Sequence, residues 1–428
     1  MTASQPGDTH PTFVPLPPGA FEIEHFPMDG GIIEARDGSL MVIFGGGIYE
    51  TGETRPMRRV SADGGVSWSD PKPVECEVGA GGVIRLASGA LGLYGQKESR
   101  CYFCSSVDDG DTWSAPVHIP VYQDFRPMHH SMIQLSSGRL LLVGYWEGLN
   151  CANPDLERVT ATGWGWWRGR ELFMEGHRGA EMGICIAYYS DDEGQSWKQC
   201  EGALFGWFNE QGVPDGTGGI TDVYEPTATE TKDGRVLMFA RSKRGRLVQS
   251  YSPNGGQTWY SVQPTELASS QSPPLLIRIP RTSDLLCVWN QVSGEEIRRG
   301  FLRGRLSAAI SEDSGYTWKH FRTLELQEGM DDATRLIPDY PIPSMIVGRP
   351  GLGHLPDGFA MFTYPNVDVI GGRVFIRYSR MWPKMRDVSP ERVGSAPVPR
   401  MWPDYENRRA EMTGEGVLRI YPLEWFYE

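Results

Sequence analysis

Six stretches of the chain share one pattern: a short apolar–polar alternation, a tight polar turn, and a second run that is almost continuously apolar. They read GGIIEARDGSLMVIF at 30–44, GGVIRLASGALGLY at 81–94, HSMIQLSSGRLLLVGYW at 130–146, EPTATETKDGRVLMFAR at 225–241, PPLLIRIPRTSDLLCVWN at 273–290 and YPNVDVIGGRVFIRYSR at 364–380. Alternation of period two is the mark of a strand with one buried face, and a Gly- or Asp-centred break between two such runs is a hairpin turn. The pattern therefore predicts six β-hairpins and no helical periodicity.

A second repeat follows five of the six hairpins. SADGGVSW at 61–68, SVDDGDTW at 106–113, SDDEGQSW at 190–197, SPNGGQTW at 252–259 and SEDSGYTW at 311–318 all fit S-x-D/N-x-G-x-x-W. In each, an Asp or Asn caps backbone N–H groups of its own turn, a Gly takes a positive φ, and the Trp folds back between adjacent sheets. One hairpin plus one box hairpin makes four antiparallel strands. Six such units predict an all-β fold, a six-bladed β-propeller of four-stranded antiparallel blades. The sixth unit has no box, so its missing strands are expected from GVLRIYPL near the C-terminus and FEIEHF at 21–26, closing the ring with both ends of the chain. Residues 1–20 read as an extended tail and 21–428 as one domain.

Composition agrees. The 52 Gly and 32 Pro are spread along all 428 residues, which suits many turns and opposes a helical bundle. A net charge of −13, from 41 basic and 54 acidic residues, opposes a general nucleic-acid role, because phosphate binding needs a basic surface. No apolar run approaches the ~18 residues of a membrane span, and the first 24 residues do not read as a secretory signal. Seven scattered Cys fit reduced thiols and a cytoplasmic location. Cys101 and Cys104 form a lone C-x-x-C without a second ligand pair, so neither a metal nor a cofactor is expected.

The box-shaped repeat resembles that of the sialidase (neuraminidase) superfamily, in which it is called the Asp box (BNR repeat), and the resemblance extends over about residues 25–425. It implies a six-bladed propeller, and boxes of this kind also occur in other glycosidases, lyases and non-catalytic proteins.

Strand direction alternates within a blade, so the first-hairpin turns and the box turns emerge on one face, and the strand 2–3 and blade-to-blade connections on the other. Length variation sits on that second face, at about 147–182, 201–224, 326–361 and 381–412, and marks it as the functional one. The first insertion contains GWGWWRGR, whose Trp164, Trp166 and Trp167 suit either sugar stacking or pinning of the loop. A ligand on that face meets the first residue of each inner strand and the last of the second. Glu225 and Tyr364 open inner strands in blades 4 and 6, and His129 and His130 in blade 3. Trp146, Arg241 and Asn290 end second strands, and Arg305 begins the third strand of blade 5.

The resemblance implies roles. In sialidases a Tyr activated by a Glu is the nucleophile and three Arg grip the substrate carboxylate. By motif, Glu225 resembles the Glu, Tyr364 the Tyr, and Arg241 and Arg305 two of the Arg. A phenol with a pKa near 10 becomes a nucleophile when a carboxylate takes its proton, and it avoids the repulsion a carboxylate meets beside an anionic sugar. The family's first Arg lies in F-R-I-P, whereas this chain has FPMDGG, with Met28 and Asp29 at that place. The acid Asp also lacks an obvious counterpart in YETGETRPMRR, leaving Glu50, Glu53, Arg58 and Asp29 as the nearest polar candidates. The expectation is an exo-acting, sialidase-like glycoside hydrolase for a terminal acidic or polyhydroxylated sugar. The alternatives are a propeller hydrolase or lyase with His129 or His130 as acid/base, or a carbohydrate-binding propeller without catalysis.

Overall fold

The computed structural model describes residues 14–48, 54–98, 100–122, 125–147, 164–167, 170–173, 183–208, 219–221, 223–242, 244–298, 303–327, 329–338, 360–383 and 412–428. Six four-stranded antiparallel sheets are arranged as blades. Running outward from the axis, blade 1 comprises Gly31–Glu34, Leu40–Ile48, Thr54–Ser61 and Lys72–Pro73, and blade 2 Gly82–Arg85, Leu91–Lys97, Arg100–Ser106 and Val117–Ile119. Blade 3 comprises Phe125–Gln134, Leu140–Glu147, Gly183–Ser190 and Lys198–Gln199, and blade 4 Tyr224–Glu230, Val236–Arg241, Arg246–Ser252 and Gln263–Ala268. Blade 5 comprises Leu275–Arg278, Leu285–Trp289, Arg305–Ser311 and Lys319–Leu326. Each inner strand packs on those of its neighbours, and blade 6 returns to blade 1.

Blade 6 has the predicted composite make-up. Its inner hairpin, Met361–Ile370 and Arg373–Pro383, is extended by Met412–Pro422, and the fourth strand is the N-terminal Phe21–Glu24. Phe21 faces Ile420 and Glu24 faces Val417 in antiparallel register. A propeller whose last blade is sewn from both ends cannot open without breaking this ladder.

The boxes fold as their residue types require. In the third, Ser190 Oγ accepts the Gly194 N–H at 2.8 Å, Asp192 Oδ1 accepts the Ser196 N–H at 2.8 Å, and the Trp197 indole N–H donates to the Gly194 carbonyl at 3.1 Å. The first box repeats these bonds with Asp63, whose carboxyl is held at about 2, chiefly by the Ser67 hydroxyl and then by the Ser67 N–H. Gly194 has φ +90°, and a Cβ there would stand 2.2 Å from the Phe103 ring of blade 2. Trp197 lies 5.8 Å from the same ring, and Trp318 of blade 5 lies 5.5 Å from Phe239 of blade 4. Each of these Trp residues thus seals its blade against the preceding one with an apolar contact between sheets. The core lies between blades: Leu140, Leu142, Ala187 and Tyr188 of blade 3 share one cluster with Phe103 of blade 2 and Met238 of blade 4.

Two of the expected insertions contain hairpins, Trp164–Trp167 with Arg170–Phe173 and Gly206–Phe208 with Gly219–Thr221. The side chains of Trp164, Trp166 and Trp167 lie outside the described residues, as do most of 326–361 and 381–412. Among the described residues, six Cys are free and buried, and no helix is long and apolar enough to cross a membrane.

Candidate active site

The inner strands of blades 3, 4 and 6 carry the same local distortion, but not at their first residues: Glu225 is the second residue of its strand and Tyr364 the fourth, and the blade 3 strand starts at Phe125, so that His129 and His130 lie inside it and do not open it as expected. His130, Glu225 and Tyr364 have φ of +57°, +49° and +54°, a region that non-glycine residues avoid. At each, the pairing register slips, between Pro127 and Met132, Tyr224 and Thr227, and Thr363 and Asn366. Glu225 and Tyr364 are each followed by Pro, which has no N–H to offer a ladder. The bulge takes the side chain before each Pro out of the alternation of its strand. Residues held this way have their strain balanced by their surroundings, and such positions cluster at functional sites.

Glu225 and Tyr364, separated by 139 positions in the chain, meet here. The Tyr364 hydroxyl donates to Glu225 Oε1 at 3.1 Å, and Arg241 Nη1 donates to Glu225 Oε2 at 2.6 Å. Glu225 and Arg241 are buried, and Tyr364 is partly so. Burial pushes the Glu225 carboxyl up, but the Arg241 charge and hydrogen bond, the Arg303 charge and the Tyr364 hydrogen bond outweigh it and hold the group below the usual carboxylate range. Tyr364 is displaced the other way: burial, then the adjacent Glu225 charge, raise it, against the opposing pull of Arg303 and Arg241. At neutral pH the pair is therefore a carboxylate accepting from a neutral phenol.

Arg303 completes the cluster. Its guanidinium stands 5.3 Å from the centre of the Tyr364 ring, its carbonyl accepts the Phe362 N–H at 2.8 Å, and its side chain is partly exposed. Sequence reasoning passed over Arg303 for Arg305, two positions on. Arg305 is fully buried and points elsewhere. It forms a bidentate pair with Glu296 at 2.8 and 2.9 Å and also donates to the carbonyls of Gln291 and Asp331. Glu296 lies on the helical turn Gly294–Arg298, so Arg305 braces that connection and has no contact with Glu225 or Tyr364 among the described residues.

The remaining candidates divide in the same way. Asn290 is buried and clamps blade 5 to blade 6, donating to the carbonyls of Arg305 at 2.9 Å and Phe362 at 2.8 Å. Arg58 reaches Asp111 at 2.8 Å, in the box turn of blade 2, on the face away from the cluster. Trp146 packs on Tyr122 with ring centres 5.9 Å apart. Glu50 lies outside the described residues, as does the side chain of His129. Asp29 is partly buried, and its Oδ2 accepts the Gly45 N–H at 3.1 Å.

His130 belongs to a second axial layer that sequence reasoning did not assemble. Its Nε2 lies 3.3 Å from Arg377 Nη2 and 3.6 Å from Asp368 Oδ1. Arg377, fully buried, also donates to Asp368 at 3.1 Å and to the carbonyls of Asp29 and Gly30 at 2.7 and 2.8 Å. It thus ties down the backbone of the FPMDGG segment. Burial lowers its pKa despite the opposing charges of Asp368 and Asp29. The sequence signal for Asp368 and Arg377 is slight, since both sit within an alternating strand pair.

A family model described as a BNR repeat-like domain matches residues 79–376, well over half of the chain. No curated protein matches the sequence. Among solved structures, a protein of unknown function from Dyadobacter fermentans is similar over 94% of this chain and 99% of its own, at 14% identity and a TM-score of 0.50. A Hadza microbial sialidase is 15% identical, with 82% of this chain and 63% of that one covered and a TM-score of 0.47. An α-L-arabinofuranosidase from Fusarium graminearum is 10% identical, with 96% and 99% covered and a TM-score of 0.49. At these identities the likeness concerns the fold, which rests on the first of the three and on the sheet topology itself.

Proposed function

We propose, from the premise that the chain belongs to the BNR repeat-like domain family, that it is a sialidase-like glycoside hydrolase acting on a terminal acidic or polyhydroxylated sugar. The observation that carries this reading is the Arg241–Glu225–Tyr364 chain of hydrogen bonds at the bulges of two inner strands. Tyr364 is the nucleophile. As its Oη bonds to the anomeric carbon, its proton passes to Glu225 Oε1, 3.1 Å away. The bond from the anomeric carbon to the leaving oxygen breaks, and that oxygen takes a proton from an acid, for which Asp29 is the candidate among the described residues. Water then attacks the anomeric carbon and gives its proton to the acid, restoring it, while the bond from that carbon to Tyr364 Oη breaks and Glu225 returns its proton to the phenol.

Arg241 keeps Glu225 ionised for this task. Arg303, partly exposed beside the phenol, replaces Arg305 as the cation that holds an acidic substituent. The test is Tyr364→Phe, which deletes the nucleophilic oxygen and little else. Turnover of aryl glycosides by the wild-type chain is expected to fall at least ~10³-fold in the variant. Full activity in the variant removes Tyr364 from the chemistry.

A second reading draws on the His130 layer: a hydrolase or lyase in which His130, oriented by Asp368, moves the proton. Loss of turnover in His130→Ala with activity retained in Tyr364→Phe favours it.

A further inference from the structure

The N-terminal strand of blade 6 ends at Glu24, beside the start of the third strand, and there the chain gathers a donor set that the axial site does not use. The Glu24 and Glu415 carboxylates and the His25 imidazole each offer one ligand atom, and the three atoms lie within 4.8 Å of one another. His25 Nδ1 stands 3.4 Å from Glu415 Oε2. A good hydrogen bond is shorter, at about 2.7–3.2 Å. The separation matches that of two ligands on one tetrahedral ion, whose bonds to nitrogen and oxygen are about 2.0–2.2 Å long.

The backbone and the buried side of the cluster hold two of the donors in place. Phe26 N–H donates to the Gly416 carbonyl at 2.9 Å, and a Cβ on Gly416 would stand 1.9 Å from the Phe26 carbonyl oxygen, so only glycine allows the two segments to lie this close. His25, one residue earlier, has φ +56°, outside the conformation of the strand it follows. Glu415 is buried, and Arg380 Nη1 lies 3.6 Å from its Oε1, so that one carboxylate oxygen is held from within while the other faces His25. Carboxylates that bind metal are commonly anchored by such a partner. Glu24 and His25 are exposed, which leaves the donor set open to solvent. Charge points the same way. Glu22, Glu325 and Glu415 share Arg380 and Arg419, three carboxyl groups for two guanidinium groups, and Glu24 adds a fourth carboxyl at the outer end.

We infer that Glu24, His25 and Glu415 form a site for one divalent first-row transition ion, with water completing its shell. The imidazole nitrogen selects such an ion over Mg²⁺ and Ca²⁺, which take oxygen ligands. The ion joins residue 25 to residue 415 and fastens the N-terminal strand to the blade it completes. Its role is structural and does not depend on the hydrolase reading.

The experiment uses Zn²⁺ as the probe. The full chain, freed of metal with EDTA and dialysed, is titrated by isothermal calorimetry, and its Tm is followed as Zn²⁺ is added. One Zn²⁺ per chain is expected, with a rise of about 3 °C in Tm at a hundredfold excess over Kd, and Mg²⁺ at the same concentrations is expected to leave Tm unchanged. His25→Asn removes the imidazole and keeps a residue that tolerates positive φ, and Glu24→Gln removes an exposed carboxylate. Each is expected to weaken Zn²⁺ binding at least about tenfold with the metal-free Tm unchanged. His118→Ala, at an exposed histidine of blade 2, is expected to bind as the wild type does. The absence of saturable Zn²⁺ binding overturns the inference, as does binding that either His25→Asn or Glu24→Gln leaves unchanged, or an equal response to Mg²⁺.

Discussion

Glu22→Gln and Glu325→Gln remove the same charge from one buried cluster, and the structure assigns them unequal consequences. Glu22, on the N-terminal strand, accepts from Arg380 Nη2 at 2.7 Å and from Arg419 Nε at 2.6 Å. Glu325, from the outer strand of blade 5, faces the same two guanidinium groups at 3.0 Å through Oε1, which also accepts the Tyr378 hydroxyl. Its Oε2 is buried without a partner. The cluster sits where the N-terminal strand meets blades 5 and 6, so it helps close the ring. Burial raises both carboxyls. At Glu22 the Arg380 and Arg419 contacts win and the group lies below its ordinary value, whereas at Glu325 burial wins and it lies above.

The signs follow from linkage. A depressed carboxyl contributes stability that is present above its unfolded pKa and lost as pH falls through the folded one. Glu325, raised in the fold, contributes stability only while protonated, and loses it as pH rises through its folded value. At neutral pH Glu22→Gln therefore breaks a favourable pair, with an upper cost of about 3–5 kcal/mol. With an unfolding entropy that scales with chain length, this corresponds to a drop of roughly 3–5 °C in Tm. Glu325→Gln removes a charge the fold disfavours and is expected to move Tm by no more than about 1 °C. Calorimetry at fixed scan rate near pH 7.5 reads both, and the Glu22→Gln deficit should shrink as the pH falls below the usual carboxylate range. A larger loss in Glu325→Gln than in Glu22→Gln refutes the reasoning.

Other expectations are narrower. Trp197→Ala removes the indole that seals blade 3 against Phe103 and should cost about 3–5 kcal/mol in chemical denaturation, and a cost under about 1 kcal/mol denies the box Trp its sealing role. Arg241→Met leaves burial as the chief influence on Glu225, so the acid limb of the pH–rate profile should move up by about 1–3 pH units, and an unmoved limb separates Arg241 from the base. Arg303→Ala should raise KM for an acidic glycoside with Tm unchanged, and Arg305→Met should lower Tm with KM unchanged, so a reversal of that pattern returns Arg305 to the anion clamp.

The fold was legible because its signals are local. Alternation, the D-G and G-G turns and the five boxes each report on a few neighbouring residues, and counting strands left blade 6 two short, which pointed to the chain ends. Glu225, Arg241 and Tyr364 were legible one step further, because blade symmetry assigns the opening of an inner strand and the end of the second to the axis. The His130–Asp368–Arg377 layer was not, since it joins blade 3 to blade 6 across the axis and no local period carries that contact.

Arg303 and Arg305 mark where that legibility ends. Both stand in FLRGR, and a strand of period two puts residues two apart on the same side, so spacing alone gives them equal claims. The strand, however, begins at Arg305. Arg303 lies before it, outside the ladder's constraint, with its carbonyl bonded to blade 6 and its guanidinium over Tyr364. Arg305, inside the ladder, is captured by Glu296 from a helical turn that sequence periodicity did not forecast. A buried guanidinium goes to the carboxylate that shares its burial, because leaving either unpaired costs more than any exposed contact returns. Which Arg stands over Tyr364 was therefore decided by a Glu nine residues earlier than Arg305 in the chain, and the partner of that Glu is fixed only once the connection has folded.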